Sequence, residues 1–324
     1  MKNISSYILE NSSGIRVCLS PAGASIQSVE MNGLSGIFTD VALPQTSPPD
    51  GSYAGCTLAP YAGRIAGGML PIDGKMHSLC PNEGKNQLHG GMHNLSHMLW
   101  QSEPRVTKED TQSIAFHAAL AHDVDGFPGN REFTTRYTLC ENRLDIHLEA
   151  TTDRPSRVNL SNHTYWNLSG DFTRDASDHR LWIASDEVYV NNEEQLVIGK
   201  WDTADSCFDF RAPREIGSPH AMVHPQLRLA LGYNHSFVLR SQPQDEPSAM
   251  LVHPASGRRL KLFTDQLCMV VYSGGYLDPS NCAVALEPQE HPYAPAITHQ
   301  PDLVFDPEHP YHRHIAFVLD TVPT

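Results

Sequence analysis

The sequence lacks a CxxC pair, a long apolar run and an excess of positive charge. Its seven cysteines are scattered over 324 residues, and an odd, unclustered set predicts reduced thiols rather than a disulfide framework. The first segment, MKNISSYILENSSG, has one lysine and no apolar core typical of a signal peptide. No stretch is long and apolar enough to span a membrane as a helix. These features predict a cytoplasmic protein with no membrane partner.

Positive charge is the scarcer sign, with 23 Lys and Arg against 37 Asp and Glu, for a net charge of −14. An acidic surface repels phosphate backbones, so no nucleic-acid partner is expected. Neither a P-loop nor a GxGxxG turn is present, so no nucleotide cofactor is expected. The 40% of hydrophobic and 19% of charged residues are typical of a globular protein.

A helical stripe is also missing, and the dominant period of the sequence is two. From Phe133 to Leu148, apolar and polar residues alternate on both sides of a turn at Glu141-Asn142, which predicts a hairpin. With 22 Gly and 24 Pro as punctuation, many short strands favour a β-sandwich or barrel over a βαβ fold. We expect one domain over residues 1–324, with the residues up to Glu10 at its periphery. The same alternation predicts strands at Arg228 to Leu239, Arg259 to Tyr272 and His314 to Leu319.

Polar and ionisable residues interrupt strand-like or turn-like sequence in five places. A buried strand seldom carries His or Glu without a partner, so each place is a candidate functional segment. The five segments are YAGRIAGG at 61–68, NQLHGG at 86–91, NLSNHTYWNLSG at 159–170, YNHSFVL at 233–239 and ALEPQ at 285–289.

The order and wording of these segments resemble the galactose mutarotase (aldose 1-epimerase) family, whose members typically show GRxANRI, N-x-LHGG, NHSYFNL and LEPQ or LETQ stretches. The match runs from about residue 50 to the C-terminus and includes DGFPG at 125–129, FDFR at 208–211 and VYSGGYLD at 271–278. The resemblance implies an all-β, mostly antiparallel β-supersandwich with few short helices. It also implies a small-molecule sugar as the partner of a monomer or homodimer.

The resemblance assigns roles to four residues. The family's general base falls on Glu287 and its general acid on His163, while its sugar-binding Arg and His fall on Arg64 and His89. The expected activity is therefore interconversion of the α and β anomers of a free aldose.

Three positions depart from the family pattern. Asn234 stands where the family has a sugar-binding Asp, Val270 where it has Gln, and Gly63 where an Asn precedes the Arg. We expect Asn234 to bind the substrate still. An altered set of hydroxyl-binding groups around an intact catalytic pair leaves the identity of the sugar open.

Interconversion of anomers requires a general base and a general acid. Ring opening removes a proton from the C1 hydroxyl and places one on the ring oxygen, and each transfer typically contributes about 10²–10⁴-fold. Neither a metal nor a cofactor is required. With ordinary pKa values of about 4.3 for Glu and 6.5 for His, ionised Glu287 and protonated His163 predict a bell-shaped pH profile.

Other interpretations stay open. A hexose 6-phosphate epimerase would need several Arg or Lys for the phosphate, and a sugar-binding or sensor module would keep the fold without catalysis. Arg64 could simply pair with a neighbouring carboxylate, and Trp166 is expected to fill the core rather than stack on a sugar. A metal is not expected at His89, His93 and His97, because Gly-Gly after His89 disfavours a helix. The HPYHRH run at 309–314 is expected to form a solvated turn.

Overall fold

The computed structural model describes residues 6–44, 51–217, 223–295 and 304–322. Helix is scarce in this part of the chain, as the missing helical stripe predicts. It comprises the α-helix α1 (Pro225–Leu229) and the 3₁₀ turns Ala66–Gly68, Leu95–His97 and Val124–Gly126. The strands are β1 (Tyr7–Glu10), β2 (Arg16–Ser20), β3 (Ser25–Asn32), β4 (Phe38–Asp40), β5 (Thr57–Leu58), β6 (Arg64–Ile65), β7 (Met69–Ile72), β8 (Lys75–Ser78), β9 (Gln87–Leu88), β10 (Gln101–Ser102), β11 (Val106–Lys108), β12 (Thr111–Leu120), β13 (Arg131–Cys140), β14 (Arg143–Thr152), β15 (Ser156–Arg157), β16 (Ser161–Asn162), β17 (Tyr165–Trp166), β18 (Arg180–Ile183), β19 (Ser185–Asn191), β20 (Val197–Asp202), β21 (Arg214–Glu215), β22 (Asn234–Leu239), β23 (Ala249–His253), β24 (Arg258–Thr264), β25 (Cys268–Tyr272), β26 (Val284–Gln289), β27 (Val304–Phe305) and β28 (Tyr311–Thr321).

The larger sheet has ten strands, in the order β10-β12-β13-β14-β28-β24-β23-β18-β21, with β11 also paired to β12. All of its pairings are antiparallel. The predicted hairpin is its β13–β14 pair, which turns at residues 141–142. Along β13 the residues Phe133, Thr135, Tyr137 and Leu139 are all buried, because alternate side chains of a strand point to one face.

A second sheet has six strands, in the order β17-β26-β25-β22-β19-β20, and is also antiparallel throughout. A four-stranded sheet, β1 to β4, and four two-stranded pairs complete the architecture. The main core includes Phe317 of the ten-stranded sheet, Leu286 of the six-stranded sheet and Ile26 of the four-stranded sheet. Trp166 is fully buried and meets Phe317 edge-on at 4.9 Å between ring centres, so its expected role in the core is confirmed.

The prediction of an all-β, mostly antiparallel fold is confirmed, whereas several local predictions need correction. Tyr7–Glu10 forms an edge strand of the four-stranded sheet, paired with β2, and residues 1–5 of the segment expected at the periphery lie outside the described residues. Arg228 lies in α1, which starts with Pro225 in the first turn and the His224 side chain as its cap, so the strand begins only at Asn234. The predicted strand from Arg259 to Tyr272 is two strands, β24 and β25. Residues 311–314 of the HPYHRH run lie within β28 rather than in a turn.

Candidate active site

The register of the six-stranded sheet places His163 opposite Glu287. Tyr165 of β17 pairs with Ala285 of β26, and two further residues along each strand lead to His163 and Glu287. The ladder ends before that point, since β17 begins at Tyr165. On the other side of β26, Val270 of β25 lies directly across from Glu287. The backbone ladder between β17 and β26 therefore has a gap at His163 and Glu287, where only their side chains meet.

The side chains of His163 and Glu287 are both buried where this backbone pairing is missing. The His163 backbone donates to the Cys56 carbonyl oxygen at 2.9 Å, and its own carbonyl oxygen accepts from the Gly55 amide at 3.0 Å. The Nε2 atom of His163 lies 3.5 Å from Oε1 of Glu287, and the two side chains are only 5% and 3% exposed. The second carboxylate oxygen, Oε2, accepts a hydrogen bond from Nε2 of Gln289 at 3.1 Å.

Burial shifts the two titrating groups in opposite directions, because it disfavours the charged form of each. It raises the pKa of Glu287 to about 8, although the hydrogen bond from Gln289 and the charge of Arg64 oppose the shift. It lowers the pKa of His163 to about 4, with a smaller opposing effect from a backbone hydrogen bond. Near pH 7, burial therefore favours a protonated Glu287 and a neutral His163.

A short ladder brings Arg64 and His89 together. Arg64 of β6 pairs with Leu88 of β9, and His89 follows at once. The His89 backbone, at a φ of +50°, donates to the Gly63 carbonyl oxygen at 3.0 Å. The Gly63 amide in turn donates to Nδ1 of His89 at 3.2 Å. Because Nδ1 accepts this bond, the proton of neutral His89 is on Nε2, where it can be donated to a ligand oxygen.

Neighbouring groups bind Arg64 and keep His89 neutral. Arg64 makes a bidentate ion pair with Glu83 through Nε at 2.6 Å and Nη2 at 2.7 Å. The pairing with a carboxylate that the sequence left open therefore exists. Burial, followed by the positive charges of His163 and Arg64, holds the pKa of His89 well below its usual range, so His89 is neutral near pH 7.

Asn234 lies at the start of β22, across two strands from Glu287. Its side-chain nitrogen donates to Oε1 of Gln195 at 3.4 Å, and its backbone oxygen accepts from Asn191 at 2.8 Å. Asn234 presents its side-chain oxygen as a hydrogen-bond acceptor, while Val270, two residues before the partner of Asn234 on β25, contributes an apolar surface beside Glu287. The departures from the family pattern at 234 and 270 therefore both lie at the site.

All five residues assigned by the sequence, together with Val270, line one cavity of about 950 Å³. Sequence reasoning missed Glu83, which no motif marks. It also gave no role to Gln289, although the two-residue spacing in LEPQ places Gln289 on the same face as Glu287. Three tyrosine rings near His163 were missed as well: they are Tyr53, Tyr165 and Tyr272.

Comparison with known families agrees with this geometry. The sequence profile described as "Aldose 1-epimerase" matches residues 5–317. The chain belongs to the aldose 1-epimerase family. It is 32% identical to the aldose 1-epimerase of Escherichia coli (strain K12), over 83% of this chain and 78% of that protein. It is 29% identical to the galactose mutarotase of Sus scrofa, over 94% of this chain and 91% of that protein.

Solved structures show the same fold. The galactose 1-epimerase from Lactobacillus acidophilus NCFM superposes with a TM-score of 0.87 at 25% identity, covering 99% of this chain and 95% of that one. An aldose epimerase homologue from C. elegans gives a TM-score of 0.84 at 26% identity, over 98% of this chain and 100% of that one. In the described ranges, no helix of this family member is long and apolar enough to cross a membrane.

Proposed function

We propose that this protein is an aldose 1-epimerase that interconverts the α and β anomers of a free aldose, with Glu287 as general base and His163 as general acid. The observation that carries the proposal is the buried pair itself. Its reacting atoms are 3.5 Å apart, and both side chains line a cavity that also contains the sugar-binding candidates. The seven free cysteines support a reducing, cytoplasmic location.

The reaction needs one proton on each side of the ring. Glu287 takes the proton of the C1 hydroxyl while the bond between C1 and the ring oxygen breaks, and His163 gives a proton to that oxygen. The product is the open-chain aldehyde. Rotation about the bond between C1 and C2 presents the other carbonyl face. Ring closure then returns one proton to His163 and takes one from Glu287, so the enzyme ends as it began.

The proposed cycle needs one proton on the pair, carried by His163. Burial favours that proton on Glu287, so it must move to His163 when the sugar binds. The C1 hydroxyl donating to the carboxylate favours its ionised form, and a ring oxygen accepting from His163 favours the imidazolium. The charge of Arg64 acts in the same direction on Glu287. Substrate binding thus prepares both groups for catalysis.

A phosphorylated substrate fits the cavity less well. Arg64 and Lys85 are the arginine and lysine among the described lining residues, and each already pairs with a carboxylate, Glu83 and Glu194 respectively. A phosphate bound here would compete with these carboxylates for its cations. This favours a neutral sugar over a hexose 6-phosphate.

The test is exchange between anomers of glucose and galactose, followed by polarimetry and by NMR magnetisation transfer between the anomeric protons. The protein should accelerate exchange above the spontaneous rate, and Glu287→Gln and His163→Asn should not. A wild-type protein that leaves the exchange rates of a panel of neutral aldoses unchanged, while retaining sugar binding, would favour a sugar-binding module instead.

A further inference from the structure

The Glu287 carboxylate has few partners for a group so deeply buried. One oxygen faces His163, and the other accepts the hydrogen bond from Gln289. Val270, directly across on β25, offers neither a donor nor an acceptor. Among the described residues, Gln289 is therefore the one group that donates a hydrogen bond to this carboxylate.

The amide of Gln289 is itself held in place. Gln289 and Glu287 are two residues apart on β26, so their side chains leave the same face of the strand. Gly63 lies next to the amide oxygen, since a Cβ at that position would lie 3.4 Å from Oε1 of Gln289. The amide thus has its oxygen toward Gly63 and its NH₂ group toward the carboxylate. The reverse orientation would set the amide oxygen against a carboxylate oxygen.

The strand between the two residues is suited to this arrangement. Pro288 has no N–H and a fixed φ, so a proline is tolerated only where a strand lacks a neighbour on that side. The pairing of β17 covers Val284 and Ala285 and ends there. Glu287 and Gln289 therefore project from a stiff segment of β26 that has a paired strand on one side only.

We propose that Gln289 is a positioning residue, whose side-chain amide holds one oxygen of Glu287 so that the other faces His163 and the C1 hydroxyl of the sugar. This assignment rests on the function proposed above. A carboxylate free to rotate would spend less time in the reactive geometry, and a misplacement of about 1 Å can cost on the order of 10²-fold in rate. The apolar Val270 across from Glu287 leaves this orienting role to the residue on its own strand.

The test is Gln289→Met, which keeps the length of the side chain and removes the donor. We expect kcat for galactose anomer exchange to fall about ten- to hundredfold, with KM changed less than about threefold. The hydrogen bond from Gln289 lowers the pKa of Glu287. Its removal should raise that pKa, so the alkaline limb of the pH profile should move to higher pH in the variant. A kcat and an alkaline limb equal to those of the wild type would overturn the assignment.

The matched control is Gln266→Met. Gln266 is equally buried, and its amide donates to the Leu160 carbonyl oxygen at 2.9 Å, a purely structural bond. The folded control should keep the wild-type pH profile even if its stability falls. A shift of the alkaline limb in the control equal to that in Gln289→Met would show that any buried amide has this effect, and would also overturn the assignment.

A second variant, Gln289→Glu, keeps the shape of the side chain and guards against misfolding of the first. Two adjacent carboxylates repel when both are ionised, so the loss of rate should be larger at pH 8 than at pH 6. An equal loss at both pH values, or none, contradicts the proposal. Failure of the function itself looks different, because Glu287→Gln would then have the same rate as the wild type.

Discussion

Two buried carboxylates lie three residues apart, Glu287 in β26 and Glu290 directly after it, and their surroundings are opposite in character. Glu290, only 1% exposed, is bound by the guanidinium of Arg313 from the ten-stranded sheet. Glu287, only 2% exposed, meets a neutral amide and a neutral imidazole instead. The first carboxylate has a cation that compensates its charge inside the protein, and the second has none in direct contact.

The presence or absence of a cation next to a buried carboxylate decides how readily that carboxylate can exchange a proton. An ion pair keeps a carboxylate ionised but makes its oxygens poorer bases, whereas a carboxylate without a cation can exchange its proton near neutral pH. The cost falls on stability, because ionising a buried group without a partner opposes folding. In the proposed function, the ion pair of Glu290 contributes to the fold, and the cavity face of β26 provides the reactive group.

Exchanging each carboxylate for its amide should separate the two roles most clearly. Glu287→Gln should lower the exchange rate by at least about 10²-fold. It should also raise the free energy of unfolding relative to wild type. The raised pKa means that the folded protein retains a proton the unfolded chain loses, so wild-type stability falls as pH rises from the ordinary 4.5 toward about 8. Urea unfolding at pH 5 and pH 8.5 should show the larger gain at pH 8.5.

Glu290→Gln is the opposite case. It leaves Arg313 without its counter-charge and should cost about 3 kcal/mol, toward the low end for a broken buried pair because the guanidinium keeps some solvent contact. The rate per folded molecule should stay near that of the wild type. If the effects on rate and stability were reversed between the two variants, the assignment of a structural role to Glu290 and a reactive role to Glu287 would be wrong.

The pH profile tests the inverted order of the catalytic pKa values. With the pair at about 4 and about 8, kcat/KM should be near its maximum at pH 7.5. Ordinary values would have lowered it about tenfold by then, because His163 would already have lost its proton. In His163→Asn the small residual rate should rise as pH passes about 8 and Glu287 ionises. A residual rate that falls instead would mean that another residue is the acid.

The sequence could predict the fold class, and the five residues it marks line one cavity, but it could not predict this electrostatic arrangement. Alternation with a period of two is visible in β13 and β14, and the motif order brings Glu287 and His163 into one site. Burial of a carboxylate depends on how distant strands stack, so the raised pKa of Glu287 could not be read from LEPQ. The Glu83 partner of Arg64 could not be found either, because the two residues are 19 apart and joined only by a tertiary contact.

The next largest effect concerns the family departures beside Glu287. An Asp at 234 would be a pure acceptor and a Gln at 270 would add hydrogen-bonding groups, whereas Asn234 and Val270 give the cavity one amide and an apolar surface. Charged hydrogen bonds are worth about 1.5–3 kcal/mol each, so Asn234→Asp with Val270→Gln should lower the KM for galactose about tenfold or more. The wild type should favour a sugar with a missing or modified hydroxyl facing Val270.

The measurement is KM for galactose beside a panel of deoxy and amino sugars, for the double variant and for each single variant. The single variants show whether the two positions act independently. An unchanged KM for galactose in the double variant would mean that these positions do not set specificity. A drop in kcat without a change in KM would show that Gln at 270 disturbs Glu287 rather than binding the sugar.

The smallest effect should come from the ion pair at the cavity wall. The Arg64 and Glu83 side chains are 20% and 38% exposed, so solvent weakens their attraction. If Glu83 only orients Arg64 toward the sugar, Glu83→Gln should raise KM about two- to fivefold with kcat unchanged. Asp320→Asn is the control, since Asp320 binds Arg259 in the same bidentate way within the ten-stranded sheet. The KM of this control should equal that of the wild type.

The direction in which KM changes in Glu83→Gln distinguishes two roles of Glu83. A lower KM in Glu83→Gln would mean that Glu83 competes with the sugar for the guanidinium. The Arg64–Glu83 pair would then resemble the Glu290–Arg313 pair: it would stabilise the folded protein, and it would weaken sugar binding.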